Sequence, residues 1–215
     1  MLICGLEVRF NLSSSRYMNN KAQKGEYLDI LLRSKNSVFS TKDIALLWRE
    51  TQTSTAQVRL NYYVKAGKLI RVRRGIYAKD KNYDKYEFAT KIFRPSYVSF
   101  ETVLGASGMT FQYYGNIFIA SYIKREIKCD GQTYSFIKIK DTILSNPKGI
   151  DQTGEYAIAS KERAFLDTIY RSKKYYIDNL SPLDWDKVFE ILPIYNNKKM
   201  AKTVQKYYEN YKATK

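Results

Sequence analysis

The feature that most restricts how this chain can fold is a helical segment followed at once by a strongly basic hairpin, within residues 54–79. The helical segment ends at Ala66 with Ala56 and Leu60 on one face, and Gly67 after it is a typical helix stop. In the next residues, LIRVRRGIYA, apolar and basic side chains alternate before the bend RRG, and after it Ile76 and Ala78 return on the apolar face with Tyr77 opposite. This alternation predicts two short strands joined by a turn.

The charge of the same stretch has one sign. Residues 54–79 contain seven Lys or Arg and no Asp or Glu, while the whole chain of 215 residues has 37 basic and 21 acidic residues and a net charge of +16. A coding bias toward lysine would add charge along the whole chain, but it would not exclude acids from one segment. One-sided charge on two neighbouring elements favours a polyanion as partner.

Two more helices are predicted before this stretch. One lies within residues 24–35, where leucines recur at helical spacing. Ser40 and Asp43 have the spacing of a capping box, which predicts the start of a second, short helix. Ser54 and Gln57 have similar spacing at the start of the third helix. For these last two residues a capping role is favoured over a base contact.

Three helices and a basic hairpin are the outline of a winged helix-turn-helix, in which the second helix of the pair enters the DNA major groove. We predict an α+β protein with this domain at residues 21–79, after an N-terminal extension, residues 1–20, for which Met18 is an alternative start. A winged helix that binds protein instead is the alternative. The predicted DNA contacts are Ser54, Thr55, Gln57, Arg59, Asn61, Tyr62, Lys65, Arg71, Arg73, Arg74 and Tyr77.

A second unit of mixed α/β structure is predicted for residues 80–215. Two strand-like segments flank Asp130 and Gly131, a pair typical of two-residue hairpin turns. Basic residues on this hairpin and beyond it are a second candidate surface for polyanions, although lysines on an edge strand also protect against aggregation. They are Lys124, Arg125, Lys128, Lys138, Lys140 and Lys161.

Several classes of function are disfavoured. The chain has no histidine, which removes His-dependent catalysis and most zinc sites. Glu162 and Asp167 are five residues apart on a predicted helix and do not share a face as an acid/base pair. Cys4 and Cys129 form no metal or disulfide motif, and no apolar run is long enough to span a membrane. We therefore expect a cytoplasmic protein that is not an enzyme, with no cofactor, metal or membrane partner.

Three motifs resemble those of the AbiEi-type antitoxins of type IV toxin-antitoxin systems. They are GKLIRVRRGIYA, RPSYVSFETVLGASG and IASKERAFLDTIY, in this order between Lys24 and Tyr170. The resemblance implies that the winged helix represses its own operon by binding inverted repeats, and that Arg71, Arg73, Arg74, Gly75 and Tyr77 belong to its wing.

The resemblance also implies that residues 80–215 form an antitoxin domain. In this family the domain neutralises a nucleotidyltransferase-like toxin of an abortive-infection system, without necessarily forming a stable complex. Two other hypotheses compete with this one. In the first, the chain is a solitary regulator whose second unit binds a ligand or a protein. In the second, it is an enzyme such as a nuclease, for which the sequence offers neither metal ligands nor a general base.

Overall fold

A computed structural model describes residues 25–112, 114–152, 154–172 and 175–213. The predicted extension, residues 1–20, and the alternative start at Met18 lie outside the described residues. The chain is a mixture of helices and strands, as predicted, and its N-terminal part is a winged helix. The elements of this part are α1 (Glu26–Arg33), β1 (Val38–Ser40), α2 (Thr41–Leu47), α3 (Thr53–Lys65), β2 (Ile70–Arg73) and β3 (Ile76–Ala78).

The winged helix contains a strand that the sequence did not predict. Strand β1 pairs antiparallel with β3, and β3 pairs with β2, so the sheet has the order β1-β3-β2. Only Val38 and Phe39 on β1 are apolar and buried, and two residues are too few for a recognisable period. This strand places β3 at the centre of the sheet and leaves β2, with Arg71 and Arg73, at its edge.

Helix starts were predicted with mixed success. Ser40 and Asp43 form the predicted capping box, in which each side chain accepts a hydrogen bond from the other residue's backbone N–H, at 3.1 and 3.0 Å. The predicted cap at Ser54 is wrong, because α3 begins at Thr53 and its N-cap is Gln52, two residues before Ser54. Ser54 therefore lies inside the first turn with an exposed side chain.

The second unit is built around a six-stranded mixed sheet with the order β6-β7-β5-β4-β9-β8. Strand β5 is parallel to β7 and antiparallel to β4. The turn between β6 and β7 has positive φ at Asp130 (46°) and Gly131 (72°), as predicted for this pair. The elements are α4 (Lys85–Ile92), β4 (Ser96–Val98), α5 (Glu101–Ala106), β5 (Asn116–Ser121), β6 (Arg125–Cys129), β7 (Gln132–Lys138), α6 (Asp141–Leu144), β8 (Ile150–Asp151), β9 (Ile158–Ala159), α7 (Lys161–Arg171), α8 (Trp185–Ile191), a 3-10 turn (Leu192–Tyr195) and α9 (Lys198–Ala213).

The hydrophobic core is continuous across the predicted boundary near residue 80. One cluster of buried side chains includes Ile76 and Ala78 from the wing together with Phe88, Tyr134 and Phe136 from the second unit. Two other clusters fill the interior of the winged helix and the far side of the six-stranded sheet. The two units are therefore packed against each other through apolar contacts, in addition to being joined by the chain.

Buried polar groups reinforce this contact. The Glu87 carboxylate on α4 accepts hydrogen bonds from the Ser37 backbone N–H (2.8 Å), the Ser37 hydroxyl (2.7 Å) and the Val38 N–H (3.2 Å). Lys91, one turn later on α4, lies 3.3 Å from Glu87 and 3.4 Å from Asp43. A carboxylate that accepts several hydrogen bonds beside a cation tolerates burial, so these groups fix the position of α4 against the winged helix.

Asp43 is shared by two structural tasks. It caps α2, and its carboxylate also receives two hydrogen bonds from the Arg94 guanidinium at 3.1 and 3.2 Å. Burial raises the pKa of Asp43, but the Ser40 backbone N–H and the charges of Lys91 and Arg94 outweigh it, so the net pKa lies below the ordinary value of 3.8. The start of the first helix of the helix-turn-helix is thus tied electrostatically to the second unit.

Candidate nucleic-acid interface

The outward face of α3 is a stripe of exposed side chains. Ala56 and Leu60 are buried in the core of the winged helix and set the rotation of the helix. The opposite side carries residues at helical spacing, of which Val58 is 70% and Tyr62 67% exposed. The exposed residues of this stripe are Ser54, Val58, Asn61, Tyr62 and Lys65.

The wing adds positive charge beside this stripe. Arg71, Arg73 and Arg74 are all exposed, and a register shift between Arg71 and Arg73 marks a bulge in the edge strand. Gly75 closes the turn with a φ of 77°. Within the described residues, none of these arginines is in an ion pair, and the same holds for the exposed Lys65 and Lys68 between α3 and the wing. A surface of this kind attracts polyanions.

Three of the predicted DNA contacts have structural roles instead: Tyr77 is buried, and Arg59 and Gln57 are partly buried. Arg59 lies 3.9 Å over the ring of Tyr27 and pairs with Glu50 at 2.8 Å, so it holds α3 to the helices before it. Tyr77 is fully buried in the core, and its hydroxyl accepts a hydrogen bond from the Gln57 side-chain amide. A contact between Tyr77 and DNA is therefore wrong for this conformation, and Arg59 and Gln57 have structural partners.

The remaining predicted contacts are exposed or half-buried on α3 and the wing. Asn61, next to Gln57 on the helix, accepts a hydrogen bond from the Gln57 amide at 3.2 Å, and Thr55 is half-buried at the side of the stripe. Sequence reasoning missed Val58 because only polar, basic and aromatic side chains were considered for base contacts. Its outward position was nevertheless predictable, since Val58 lies two residues after the buried Ala56 and two residues before the buried Leu60.

The second candidate basic surface is divided by the sheet topology. Lys124, Arg125, Lys138 and Lys140 are exposed at one end of the β6–β7 pair, where Arg125 is the cross-strand partner of Phe136. Lys128 lies at the other end of β6. Lys161 follows β9, three strands from β7 or about 14 Å at the usual strand spacing, and its Nζ is 4.0 Å from Glu162. Lys161 therefore does not belong to the same surface.

The interior of the second unit contains a fully buried ion pair on α7. The Arg163 guanidinium lies 3.4 Å from the Asp167 carboxylate, and it also donates to the backbone carbonyls of Ile143 (2.7 Å) and Lys148 (2.8 Å). Three hydroxyl groups donate to the two Asp167 oxygens, those of Tyr195 (2.6 Å), Ser99 (2.8 Å) and Tyr97 (2.9 Å). These bonds connect α7 to β4, to the segment around α6 and to the 3-10 turn.

This cluster has the properties of a structural support. Burial raises the pKa of the Asp167 carboxyl, while the guanidinium and the hydroxyl groups around it oppose that rise. Arg163 and Asp167 are both fully inaccessible to solvent, so no substrate reaches them in this conformation. The predicted cap at Ser160 is confirmed. Its hydroxyl accepts a hydrogen bond from the Arg163 backbone N–H at 3.2 Å and orients the first turn of α7, which carries this cluster.

An open groove of about 630 Å³ lies beside α5, where α4 and β5 begin. Glu101 and Thr110 line it, and both are buried. Arg171 binds one oxygen of Glu101, but the other oxygen and the Thr110 hydroxyl have no hydrogen-bond partner. Among the described residues there is no cluster of three or more metal-binding side chains, and no described helix is both long and apolar enough to cross a membrane.

Comparison with known protein families gives a match that coincides with the winged helix. The family described as "Transcriptional regulator, AbiEi antitoxin" matches residues 26–78, from the first residue of α1 to the last residue of β3. The first of the three resembling motifs lies within this range, and the other two lie beyond it. No curated protein matches the chain. Over these residues the winged helix of this chain is therefore similar to the AbiEi antitoxin family of transcriptional regulators.

Proposed function

We propose that this protein is an autorepressor that binds inverted repeats in its own promoter through the winged helix. The observation that carries the proposal is the group of exposed cations on α3 and the wing, which have no ion pair among the described residues and lie on the same elements as the exposed stripe of α3. In this proposal α3 enters the major groove, while Lys65 and the wing arginines contact phosphates. An inverted repeat requires two copies of the chain, one for each half-site.

The first experiment is fluorescence anisotropy with duplex DNA from the region upstream of the gene and with a scrambled duplex, each over a salt series. Repressor function predicts preferential binding to the upstream DNA that persists at physiological salt. Each phosphate contact contributes a slope of about 0.9 in log affinity against log salt, which is about 3.5-fold between 50 and 200 mM. Weak and equal binding to both duplexes, with a steep salt dependence, would reject the proposal.

The wing is tested by replacing Arg71, Arg73 and Arg74 with Ala, singly and together. If each arginine contacts one phosphate, the triple variant lowers the slope by about 2.7 and weakens binding to all sequences. Arg33→Ala is the control, because Arg33 is an exposed arginine that pairs with Asp29 on α1, outside α3 and the wing. The control should leave the slope unchanged.

We further propose that the second unit makes the protein the antitoxin of a type IV system, acting on a nucleotidyltransferase-like toxin encoded beside it. Support comes from the family of the N-terminal domain and from the resemblance of the two later motifs. We propose no catalytic role for the chain, and the buried Arg163–Asp167 pair on α7 is sealed from solvent. The solvent-exposed surface of the second unit is then the part that acts against the toxin.

Neutralisation is tested by co-expressing the adjacent toxin gene with the full chain and following growth. The shared core makes deletion of residues 1–79 a poor test, because it would expose apolar residues such as Phe88. The triple wing variant is the better separation of functions. It should neutralise the toxin while failing to repress, and toxicity that persists with well-expressed full-length protein would reject the antitoxin role.

The groove beside α5 favours a second candidate, a solitary regulator that responds to a small molecule. Its buried, unpartnered polar atoms on Glu101 and Thr110 are suited to a ligand with hydrogen-bond donors. A gene neighbourhood without a nucleotidyltransferase, together with a ligand that changes DNA affinity and loses its effect in Thr110→Val, would support this candidate over the antitoxin.

A further inference from the structure

The centre of the exposed stripe on α3 is apolar. Val58 lies one turn after Ser54 and about one turn before Asn61 and Tyr62, and 70% of its surface is exposed. In the free protein this side chain buries little surface, and a β-branched residue gives a helix slightly less stability than alanine. Its hydrophobic character therefore has no structural explanation within the chain.

The surroundings of Val58 indicate which partner covers it. Lys65 on the same stripe and the three wing arginines are exposed and positive, which suits a polyanion and opposes a purely apolar protein surface. In the DNA major groove, the apolar group that a base pair presents is the 5-methyl group of thymine. A valine on a helix in that groove has this methyl group as its natural contact.

Asn61 also favours A·T base pairs. Its carboxamide can pair with adenine through two hydrogen bonds, and it follows Val58 by three residues on the helix. Gln57 donates to Asn61 Oδ1 at 3.2 Å and also to the hydroxyl of the buried Tyr77, so the core of the domain orients the amide. A carbonyl oxygen has two lone pairs, so Oδ1 retains one acceptor position for adenine.

We propose that Val58 is a specificity-determining residue that contacts a thymine methyl group, so that α3 selects A·T base pairs at the centre of each half-site. The inference rests on the proposed DNA-binding function. Burial of one methyl group corresponds to about fourfold in affinity. Val58→Ala should cost about this factor on the preferred site and much less on random DNA.

The test begins with selection of preferred sites from random duplexes by the full chain. Each thymine of the selected site is then replaced by deoxyuridine, which removes the 5-methyl group and keeps the hydrogen-bonding pattern. We expect one or two positions in each half-site where this replacement weakens wild-type binding by about fourfold. At these positions Val58→Ala should be insensitive to the replacement, because the methyl group has lost its partner.

Leu46→Ala is the matched control, because Leu46 is a similarly exposed apolar residue, at 78% against 70% for Val58, but it lies on α2. It should keep the full response to deoxyuridine. An equal response in wild type and Val58→Ala would overturn the inference and leave DNA binding intact, whereas no binding to any duplex would reject the proposed function as well. If Val58→Ala changed the oligomeric state in light scattering without affecting the response, Val58 would belong to a protein interface and the inference would also fail.

Discussion

Replacing Asp167 with Asn tests the buried cluster of the second unit with almost no change in side-chain volume. The carboxylate accepts bonds from Arg163 and from three hydroxyl groups, all inside the protein. In the variant, an NH₂ group faces donors at one of the two oxygen positions, and the guanidinium of Arg163 loses its counter-charge. Breaking a buried ion pair on one side costs about 3–5 kcal/mol in the free energy of unfolding. This is a large fraction of the stability of a typical domain.

The free energy of unfolding is measured by urea denaturation of the wild type, of Asp167→Asn and of a control, Asp186→Asn. Asp186 is exposed in the first turn of α8, so its replacement should cost less than about 1 kcal/mol. The double variant Asp167→Asn/Arg163→Met removes both charges and should recover part of the loss. A cost below about 1 kcal/mol for Asp167→Asn would show that the cluster is dispensable and refute the reasoning.

Because the chain has two tryptophans, one in each unit, the same urea denaturation can be followed separately for each unit. Trp48 is buried in the winged helix and Trp185 in the second unit, on opposite sides of the shared core. Variants with a single tryptophan, Trp48→Phe or Trp185→Phe, therefore follow one unit at a time. Because apolar packing joins the units, Asp167→Asn should also lower the midpoint seen by Trp48. An unchanged transition at Trp48 would mean that the units unfold independently.

Three further changes test the winged helix. Leu60→Ala removes a fully buried side chain and should cost about 2–5 kcal/mol in urea denaturation, while the exposed Val58→Ala should stay within about 0.5 kcal/mol. Gly75→Ala places a Cβ at a φ of 77° and should cost about 1 kcal/mol, measured the same way. Asp43 has a lowered pKa, so its contribution is present above pH 3.8 and is lost as the pH falls below it. Asp43→Asn should be less stable at neutral pH and show a smaller loss in acid than the wild type.

The sequence was most informative where one local signal was sufficient. The alternation in LIRVRRGIYA, the Ser40–Asp43 capping box and the Asp130–Gly131 turn each depend on residues that are close in the chain, and the structure confirms all three. The stripe of α3 was predictable for the same reason, since helical spacing fixes which residues oppose Ala56 and Leu60.

Contacts between distant segments were not predictable in this way. Arg59 was expected to face DNA, but its partner Glu50 lies in the turn before α3, and the two are brought together only by the packing of the helices. Tyr77 alternates with apolar neighbours on its strand, and no local pattern shows that a second layer covers its other face. The sequence allows Asp167 to be considered only as a possible acid/base partner of Glu162 on its own helix. Its hydroxyl partners come from β4, from the residue after it and from the 3-10 turn.

The position of the family match adds a functional argument. The match ends at Ala78, yet Ala78 itself packs in the core that the wing shares with the second unit. Ion pairs from Lys91 and Arg94 reach Asp43 at the start of α2, and Cys129 on β6 lies 3.6 Å from the carbonyl of Val72 on the wing. A rearrangement of the second unit on binding a partner would therefore act directly on both the first helix of the helix-turn-helix and the wing. If the chain binds DNA and a partner as proposed, we expect the two affinities to be thermodynamically linked, with the same magnitude in both directions.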